Sequence, residues 1–124
     1  MNWHLRMILT CDVYKIVMED GRFDKLSGHI VGGIIVYEKG YRHMELGRMF
    51  IHPDYQNQGL GKQAIQFLEE TYPEAKLWTL DTPAWNKRNI HFYQKMGYEL
   101  TGKEGPGGLW FAKQMAQGAK TNGD

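Results

Sequence analysis

Two closely spaced glycines lie where the sequence changes from a strand pattern to a helix pattern. They are Gly59 and Gly61, in the segment IHPDYQNQGLGK. Glycine allows a tight backbone turn and lets N–H groups come close to a ligand. The first N–H groups of a helix have no partner within the helix and lie at the positive end of its dipole. The segment therefore predicts a phosphate or pyrophosphate site, to which Gln56, Gln58 and Lys62 add side-chain donors.

Two common phosphate-binding motifs do not fit this segment. The P-loop of nucleotide hydrolases has a glycine five residues before its Gly-Lys pair and Ser or Thr after it, but Gln56 and Gln63 occupy those places. The Rossmann fingerprint needs a third glycine after the first strand of a βαβ unit, and only Gly59 and Gly61 are present. A helix start that is rich in glycine only for turning remains the alternative at this point.

The elements that position the segment follow from hydrophobic periodicity. Three strands precede it, and Pro53 ends the third because proline cannot donate to a strand ladder. Helical spacing predicts a helix from Gly59 to Tyr72, and Asn86 is typical of an N-cap for a second helix that ends near Gly97. The order β-β-β-α-β-α-β-β predicts an α/β fold with antiparallel hairpins at both ends and a central βαβ unit. The predicted strands are Asp12 to Met18, Gly28 to Tyr37, Met44 to Ile51, Leu77 to Leu80, Tyr98 to Lys103 and Leu109 to Lys113.

Composition is that of one globular domain. The chain has 124 residues, of which 42% are hydrophobic and 23% charged. We expect one domain over residues 1–113 and a flexible polar tail over residues 114–124.

The net charge and the cysteine content indicate which binding partners and which cellular compartment to expect. The formal charge of +1 gives no reason to expect nucleic acid or a membrane as a partner, and no apolar run approaches the roughly 20 residues that span a bilayer. The single cysteine, Cys11, fits a reducing compartment, so we expect a cytoplasmic protein. No spacing of His, Cys and carboxylate residues indicates a metal site.

Two motifs together resemble the GNAT superfamily of N-acetyltransferases. QNQGLG at residues 56–61 is similar to that family's acetyl-CoA-binding motif, Arg/Gln-x-x-Gly-x-Gly/Ala. NKRNIHFYQKMGY at residues 86–98 resembles its second signature, in which Asn, Tyr and a Gly-Phe/Tyr pair recur at fixed spacing. Both motifs occur at a separation like the family's and in the expected element order, which is more specific than either alone. The resemblance covers about Asp12 to Lys113.

The resemblance implies acetyl-CoA as the co-substrate. Backbone amides from Gln56 to Lys62 would hold the CoA pyrophosphate, and pantetheine would lie along Met49 to Ile51 like an extra strand. The Met49 amide would polarise the acetyl carbonyl, and Asn86 matches a frequent CoA contact. The residues implied to bind the co-substrate are Met49, Ile51, Gln56, Asn57, Gln58, Gly59, Leu60, Gly61, Lys62 and Asn86.

Direct acetyl transfer needs a base for the amine and an acid for the leaving thiolate. Tyr93 matches the family's usual acid; the alternative is a tyrosine that only packs in the core. Glu45 shares a strand face with Gly47 and Met49 and matches the carboxylate base of some family members. His43 points the same way and is a weaker candidate, and the alternative for Glu45 is a solvated strand carboxylate.

The resemblance also implies a strand and two helices ahead of the strand that begins at Asp12. Only eleven residues precede Asp12, and we expect Met1 to Leu9 to be a remnant of the second helix. Such a short helix covers too little of the sheet, which predicts a homodimer through the sheet edge or the apolar face near the N-terminus.

The sequence therefore predicts an acetyl-CoA-dependent N-acetyltransferase that acts by direct transfer on a primary amine of a small molecule or peptide. The alternative is a non-catalytic acyl-CoA-binding module, or a partner subunit, with an incomplete acceptor site.

Overall fold

The computed structural model describes residues 4–10, 13–19, 29–56 and 59–115. Within them a 3-10 turn covers Pro53–Tyr55, and the two helices are α1 (Leu60–Thr71) and α2 (Lys87–Lys95). The strands are β1 (His4–Thr10), β2 (Val13–Glu19), β3 (His29–Gly40), β4 (His43–Ile51), β5 (Leu77–Thr82), β6 (Glu99–Gly105) and β7 (Gly108–Gln114).

The strands form a mixed sheet in the order β1-β2-β3-β4-β5-β7-β6. β4 and β5 pair in parallel, whereas β1 with β2, β2 with β3, β5 with β7 and β6 with β7 pair antiparallel. A parallel pair needs a crossover connection, which α1 provides. The predicted α/β class, with antiparallel pairs at both ends and a central βαβ unit, is confirmed. The chain divides into two compact units, residues 1–36 with 47–71 and residues 37–46 with 72–124.

The helix predicted within Met1 to Leu9 is wrong, because His4–Thr10 is a strand. It pairs with β2 residue by residue, from His4 opposite Glu19 to Thr10 opposite Val13. This pairing satisfies backbone groups along an edge of β2 that would otherwise be open. The alternating apolar residues Leu5, Met7 and Leu9 have the period of two that suits a strand.

The core of the first unit lies between its strands and α1. Tyr14 and Ile16 on β2 and Ile34 on β3 are buried. The buried face of α1 consists of Leu60, Ala64, Ile65 and Leu68, the spacing expected of an amphipathic helix. The Tyr14 ring meets Phe67 of α1 edge-on, with centroids 5.4 Å apart.

A β-bulge interrupts β3 within the first unit. Ile16 pairs with Gly32 and Val17 pairs with Ile30, so Val31 is an extra residue on β3. This extra residue shifts by one position the alternation of the β3 side chains between the two faces of the sheet.

The bulge lies beside the end of β4. The Val31 carbonyl oxygen accepts a hydrogen bond of 2.6 Å from the backbone N–H of His52, the first residue after β4. A Cβ on Gly32 would collide with the backbone carbonyl oxygen of Phe50. The two strands therefore approach so closely at this point that a side chain on Gly32 would force them apart.

The core of the second unit consists of buried aromatic and aliphatic side chains. Trp78 and Leu80 of β5 and Phe111 of β7 are at most 1% exposed. β5 pairs with β7 from Leu77 opposite Gln114 to Thr82 opposite Leu109. These central strands carry the core, and α2 adds Tyr93 to it.

The C-terminal end differs from the sequence prediction in two details. The predicted loop from Glu104 to Gly108 narrows to two residues, because Gly105 pairs with Gly108 across a hairpin turn. Gln114, predicted to begin the tail, is the last residue of β7. Residues 116–124 of the predicted tail lie outside the described residues.

Among the described residues, no helix is long and apolar enough to cross a membrane. The same residues bring together no group of three or more His, Cys, Asp or Glu side chains that would hold a metal. Among the described residues of the first unit, the large apolar side chains of Val13, Ile30 and Phe50 are exposed. The homodimer stays a prediction.

We expect Gly32→Ala to destabilise the protein by roughly 1–3 kcal/mol, because its Cβ meets a backbone atom rather than a flexible side chain. Gly40→Ala is the matched control in the same strand, since a Cβ there meets no described atom within 4 Å. The control should change the free energy of unfolding by less than about 0.5 kcal/mol. Urea unfolding monitored by tryptophan fluorescence measures both. Equal midpoints for the two variants would contradict the close approach.

Candidate functional site

The connection from β4 to α1 begins with a hydrogen-bonded turn. His52 caps it, because its Nδ1 accepts from the N–H of Asp54 at 3.1 Å and its carbonyl accepts from the N–H of Tyr55 at 2.8 Å. Pro53 suits the first position of the turn, where its missing N–H is not needed. The N–H of Gln56 then donates to the Pro53 carbonyl at 3.3 Å. Backbone bonds thus fix the chain direction directly after β4.

The Gln56 side chain links this turn to β4. Its Nε2 donates to the carbonyl oxygen of Ile51 at 2.8 Å. Sequence reasoning assigned Gln56 to the phosphate and missed this positioning contact, which depends on how the turn folds. One amide hydrogen of Gln56 is left for a ligand. Asn57 and Gln58, predicted beside it, lie outside the described residues.

The start of α1 presents backbone N–H groups that the helix itself cannot satisfy. The first helical bond runs from the N–H of Gln63 to the carbonyl of Gly59 at 3.1 Å, so the N–H groups of residues 59–62 have no partner within the helix. Gly59 has a φ of 78°, in the left-handed region that favours glycine. A Cβ on Gly59 would meet no atom of the described residues within 4 Å. Those residues therefore leave space for a ligand beside this backbone.

The electrostatics of this helix start favour an anion. The first turn of α1 contains no acidic residue, and Lys62 is exposed there. The positive end of the helix dipole is therefore not neutralised from within the helix. An anion of the size of a phosphate matches both the charge and the N–H donors.

The predicted pantetheine strand belongs to the same unit as this helix start. Met49 and Ile51 are half-buried and alternate with the exposed Arg48 and Phe50 along β4. The first unit thus contains Met49, Ile51, Gln56 and residues 59–62 of the predicted binding set.

Glu45 belongs to the second unit, where β4 pairs with β5. It is paired with Thr79 in the parallel register. Its side chain is 15% exposed, and its Oε1 lies 3.7 Å from Nζ of Lys39. The Glu45 carboxylate is therefore only partly solvated, and its role as a base stays a prediction.

His43 shares this face of the second unit with Glu45. Its Nε2 lies 2.8 Å from Oγ1 of Thr79, within hydrogen-bonding distance. Sequence reasoning named His43 but missed Thr79, because their contact depends on the register of strands far apart in the chain.

Asn86 caps α2 as predicted. Its Oδ1 accepts a hydrogen bond of 3.1 Å from the N–H of Asn89. The side-chain NH2 of Asn86 is therefore the part left for a ligand. Gly97, with a φ of 101°, follows the helix as the predicted left-handed residue.

Tyr93 is buried on α2 within the second unit. It is 6% exposed, and its ring meets Phe92 and Tyr98 edge-on at centroid distances of 5.2 and 5.9 Å. Burial raises the pKa of Tyr93 to about 12, because the phenolate would lose its hydration. The hydroxyl is protonated at neutral pH, as that of an exposed tyrosine also is, and the raised pKa makes it a weaker acid. Its packing is that of a core residue, and its protonation state is that required of an acid.

Sequence and structure comparisons identify relatives of this chain. The acetyltransferase (GNAT) family matches residues 10–98. The protein YrkN of Bacillus subtilis strain 168 is 33% identical over 89 residues, which are 71% of this chain and 44% of YrkN. The chain therefore spans less than half the length of that relative.

Solved structures of acetyltransferases share the fold. The PaiA N-acetyltransferase of Thermoplasma acidophilum, solved with coenzyme A, has a TM-score of 0.68 at 19% identity, over 84% of this chain and 62% of that one. A GNAT family acetyltransferase of Elizabethkingia anophelis, with acetyl-CoA bound, has a TM-score of 0.63 at 14% identity, over 84% of this chain and 77% of that one. The family match covers well over half of the sequence and agrees with this fold, so this chain belongs to the GNAT acetyltransferase family.

Proposed function

We propose that this chain binds acetyl-CoA and transfers its acetyl group directly to a primary amine of a small molecule or peptide. One observation carries the proposal. The start of α1 presents the N–H groups of residues 59–62 without a partner in the helix, and these residues match the family's acetyl-CoA-binding motif. The comparison structures with coenzyme A or acetyl-CoA bound support the same ligand for this fold.

The first unit would hold the co-substrate through backbone groups. The amides of residues 59–62 would bind the pyrophosphate, and Lys62 would add a positive charge. The edge of β4 at Met49 and Ile51 would pair with the pantetheine amides as a neighbouring strand does. The Met49 N–H would then polarise the thioester carbonyl, as the family resemblance implies.

The second unit would supply the acid and the base. The amine nitrogen attacks the carbonyl carbon of the thioester and forms a C–N bond, while the C–S bond breaks. Glu45, directly or through water, takes a proton from the amine, and Tyr93 gives a proton to the departing sulfur. The products are the N-acetylated amine and CoA with a free thiol.

We expect Gly59→Asn to weaken CoA binding by at least about 10-fold. Asn tolerates the left-handed backbone better than most residues, so the variant fills the ligand's space with little added strain. Gly102→Asn is the matched control, because Gly102 also has a left-handed φ, 87°, and a Cβ there would meet no described atom within 4 Å. Calorimetric titration with CoA measures both. Unchanged affinity in Gly59→Asn would remove the start of α1 from the site.

We expect Tyr93→Phe to lower kcat by about 10²–10⁴-fold, the usual contribution of one acid–base group. Tyr98→Phe is the matched control, since Tyr98 is 2% exposed in the same aromatic cluster. A thiol-release assay with an amine panel measures turnover, and KM for acetyl-CoA should change little. Wild-type turnover in Tyr93→Phe would leave this tyrosine with a packing role only. CoA binding without thiol release in the wild type would favour the non-catalytic binding module.

The burial of Tyr93 also predicts a specific loss of stability at high pH. Its pKa is raised from 10.0 to about 12 in the folded protein, so the unfolded chain loses the proton first. The folded state should therefore lose stability as pH rises from 10 to 12, by roughly 2–3 kcal/mol from this group. Urea unfolding at pH 9 and pH 12 should show a smaller decrease in Tyr93→Phe than in wild type. An identical decrease in both proteins would contradict the buried phenol.

A further inference from the structure

Lys39 holds a primary amine beside the proposed base. Its Nζ lies 3.7 Å from Oε1 of Glu45, and both residues belong to the second unit. The Lys39 side chain is 49% exposed, so its amine can be reached from solvent, whereas the Glu45 side chain is only 15% exposed. The proposed reaction acetylates a primary amine at Glu45. The chain therefore places one of its own amines where an acceptor amine is needed.

The β3–β4 hairpin fixes the backbone that carries this pair. Lys39 is the last residue but one of β3, and Glu45 is the third residue of β4. The turn between them is tied to the start of β5, because the Arg42 carbonyl accepts hydrogen bonds from the N–H groups of Lys76 at 2.8 Å and Leu77 at 3.2 Å. Movement of the amine relative to Glu45 is therefore mainly movement of the Lys39 side chain.

The Lys39 side chain can cover the remaining distance to the base. A base takes a proton from a group about 2.6–3.2 Å away, or through one water, and this distance is often longer before the substrate binds. The separation of 3.7 Å is slightly above that range, and the lysine amine lies at the end of a flexible four-carbon stem. An amine held beside a base also reacts faster than a free amine, because no acceptor has to be captured and oriented.

We infer that Lys39 is an acetylation site that the protein modifies itself, within one molecule. This modification rests on the proposed function, since it uses the same co-substrate, base and acid. It adds to that function an acceptor amine that belongs to the chain.

Acetylation of Lys39 begins from its ammonium form. Glu45 takes one proton from the ammonium and passes it to water. The neutral Nζ attacks the carbonyl carbon of acetyl-CoA, the C–N bond forms and the C–S bond breaks. The departing sulfur gains a proton from Tyr93, and the second proton lost by the nitrogen replaces it. The products are CoA with a free thiol and a neutral amide at Lys39, which can no longer form the ion pair with Glu45.

The test incubates the purified protein with acetyl-CoA and no added amine. Peptide mass spectrometry follows the acetylated fraction of each lysine over time. Lys103 is the internal reference for uncatalysed acetylation, because it is exposed on β6 in the same unit. Lys39 should be acetylated at least about 10-fold faster than Lys103. The rate constant at Lys39 should stay the same when the protein is diluted, because the step occurs within one molecule.

The matched pair of variants is Glu45→Gln and Glu104→Gln, each of which removes one carboxylate from the second unit. Glu45→Gln should lower the Lys39 rate to that of Lys103, because the base is lost. Glu104 is exposed on β6, so Glu104→Gln should leave the Lys39 rate unchanged. A circular dichroism spectrum equal to that of wild type shows that each variant is folded.

Equal rates at Lys39 and Lys103 in wild type would overturn the self-acetylation of Lys39, as would a fast Lys39 rate that survives in Glu45→Gln. A rate constant that falls in proportion to dilution would also overturn it, because a second copy would then be the catalyst. Failure of the proposed function would appear separately, as absence of thiol release with every external amine. Turnover of external amines without faster acetylation of Lys39 would refute only the site at Lys39.

Discussion

A helix cannot satisfy its own first N–H groups. In the first unit, the residues between β4 and α1 fix the position at which those N–H groups of α1 begin. Pro53 ends β4, His52 caps the turn that follows, and Gly59 takes a left-handed conformation at the helix start. Each step is a local consequence of residue type. The N–H groups of residues 59–62 then have no partner within the 12-residue helix and lie at its positive end, where an anion is favoured.

The end of β4 depends in turn on its neighbour strand. The Val31 carbonyl at the bulge accepts from His52, and Gly32 leaves room for the Phe50 carbonyl. The bulge thus secures the residue at which the strand changes into the turn. The turn is also tied to the strand by Gln56, whose amide donates to Ile51. Binding through backbone groups requires such support, since a displaced loop would misalign all the donors at once.

The second unit contains a deeply buried tyrosine and a partly buried carboxylate, and the two differ in their access to water. Tyr93 is buried, and burial raises the pKa of its phenol because the phenolate would lose its hydration. Glu45 is only partly buried and is paired in register with the polar Thr79. In the proposed reaction the buried phenol serves the sulfur, and the more accessible Glu45 carboxylate serves the amine nitrogen. A buried phenol and a partly exposed carboxylate can therefore serve different reacting atoms within one fold.

The sequence predicted features that local physics decides. The strand end before Pro53, the cap at Asn86 and the left-handed Gly97 each follow from residue type and are confirmed by the structure. Contacts set by strand register were beyond sequence reasoning, as the hydrogen-bonding distance between His43 and Thr79 illustrates. The N-terminal strand was missed because the helix came from the family resemblance, while the alternation of Leu5, Met7 and Leu9 favoured β1.

The most direct test of this account is an NMR titration of ¹⁵N-labelled protein with CoA. The account predicts saturable binding in which the backbone N–H signals of Gly59, Leu60, Gly61 and Lys62 shift most, because those groups receive the pyrophosphate. Absence of saturable binding would contradict the account, as would saturable binding that leaves these four signals unmoved.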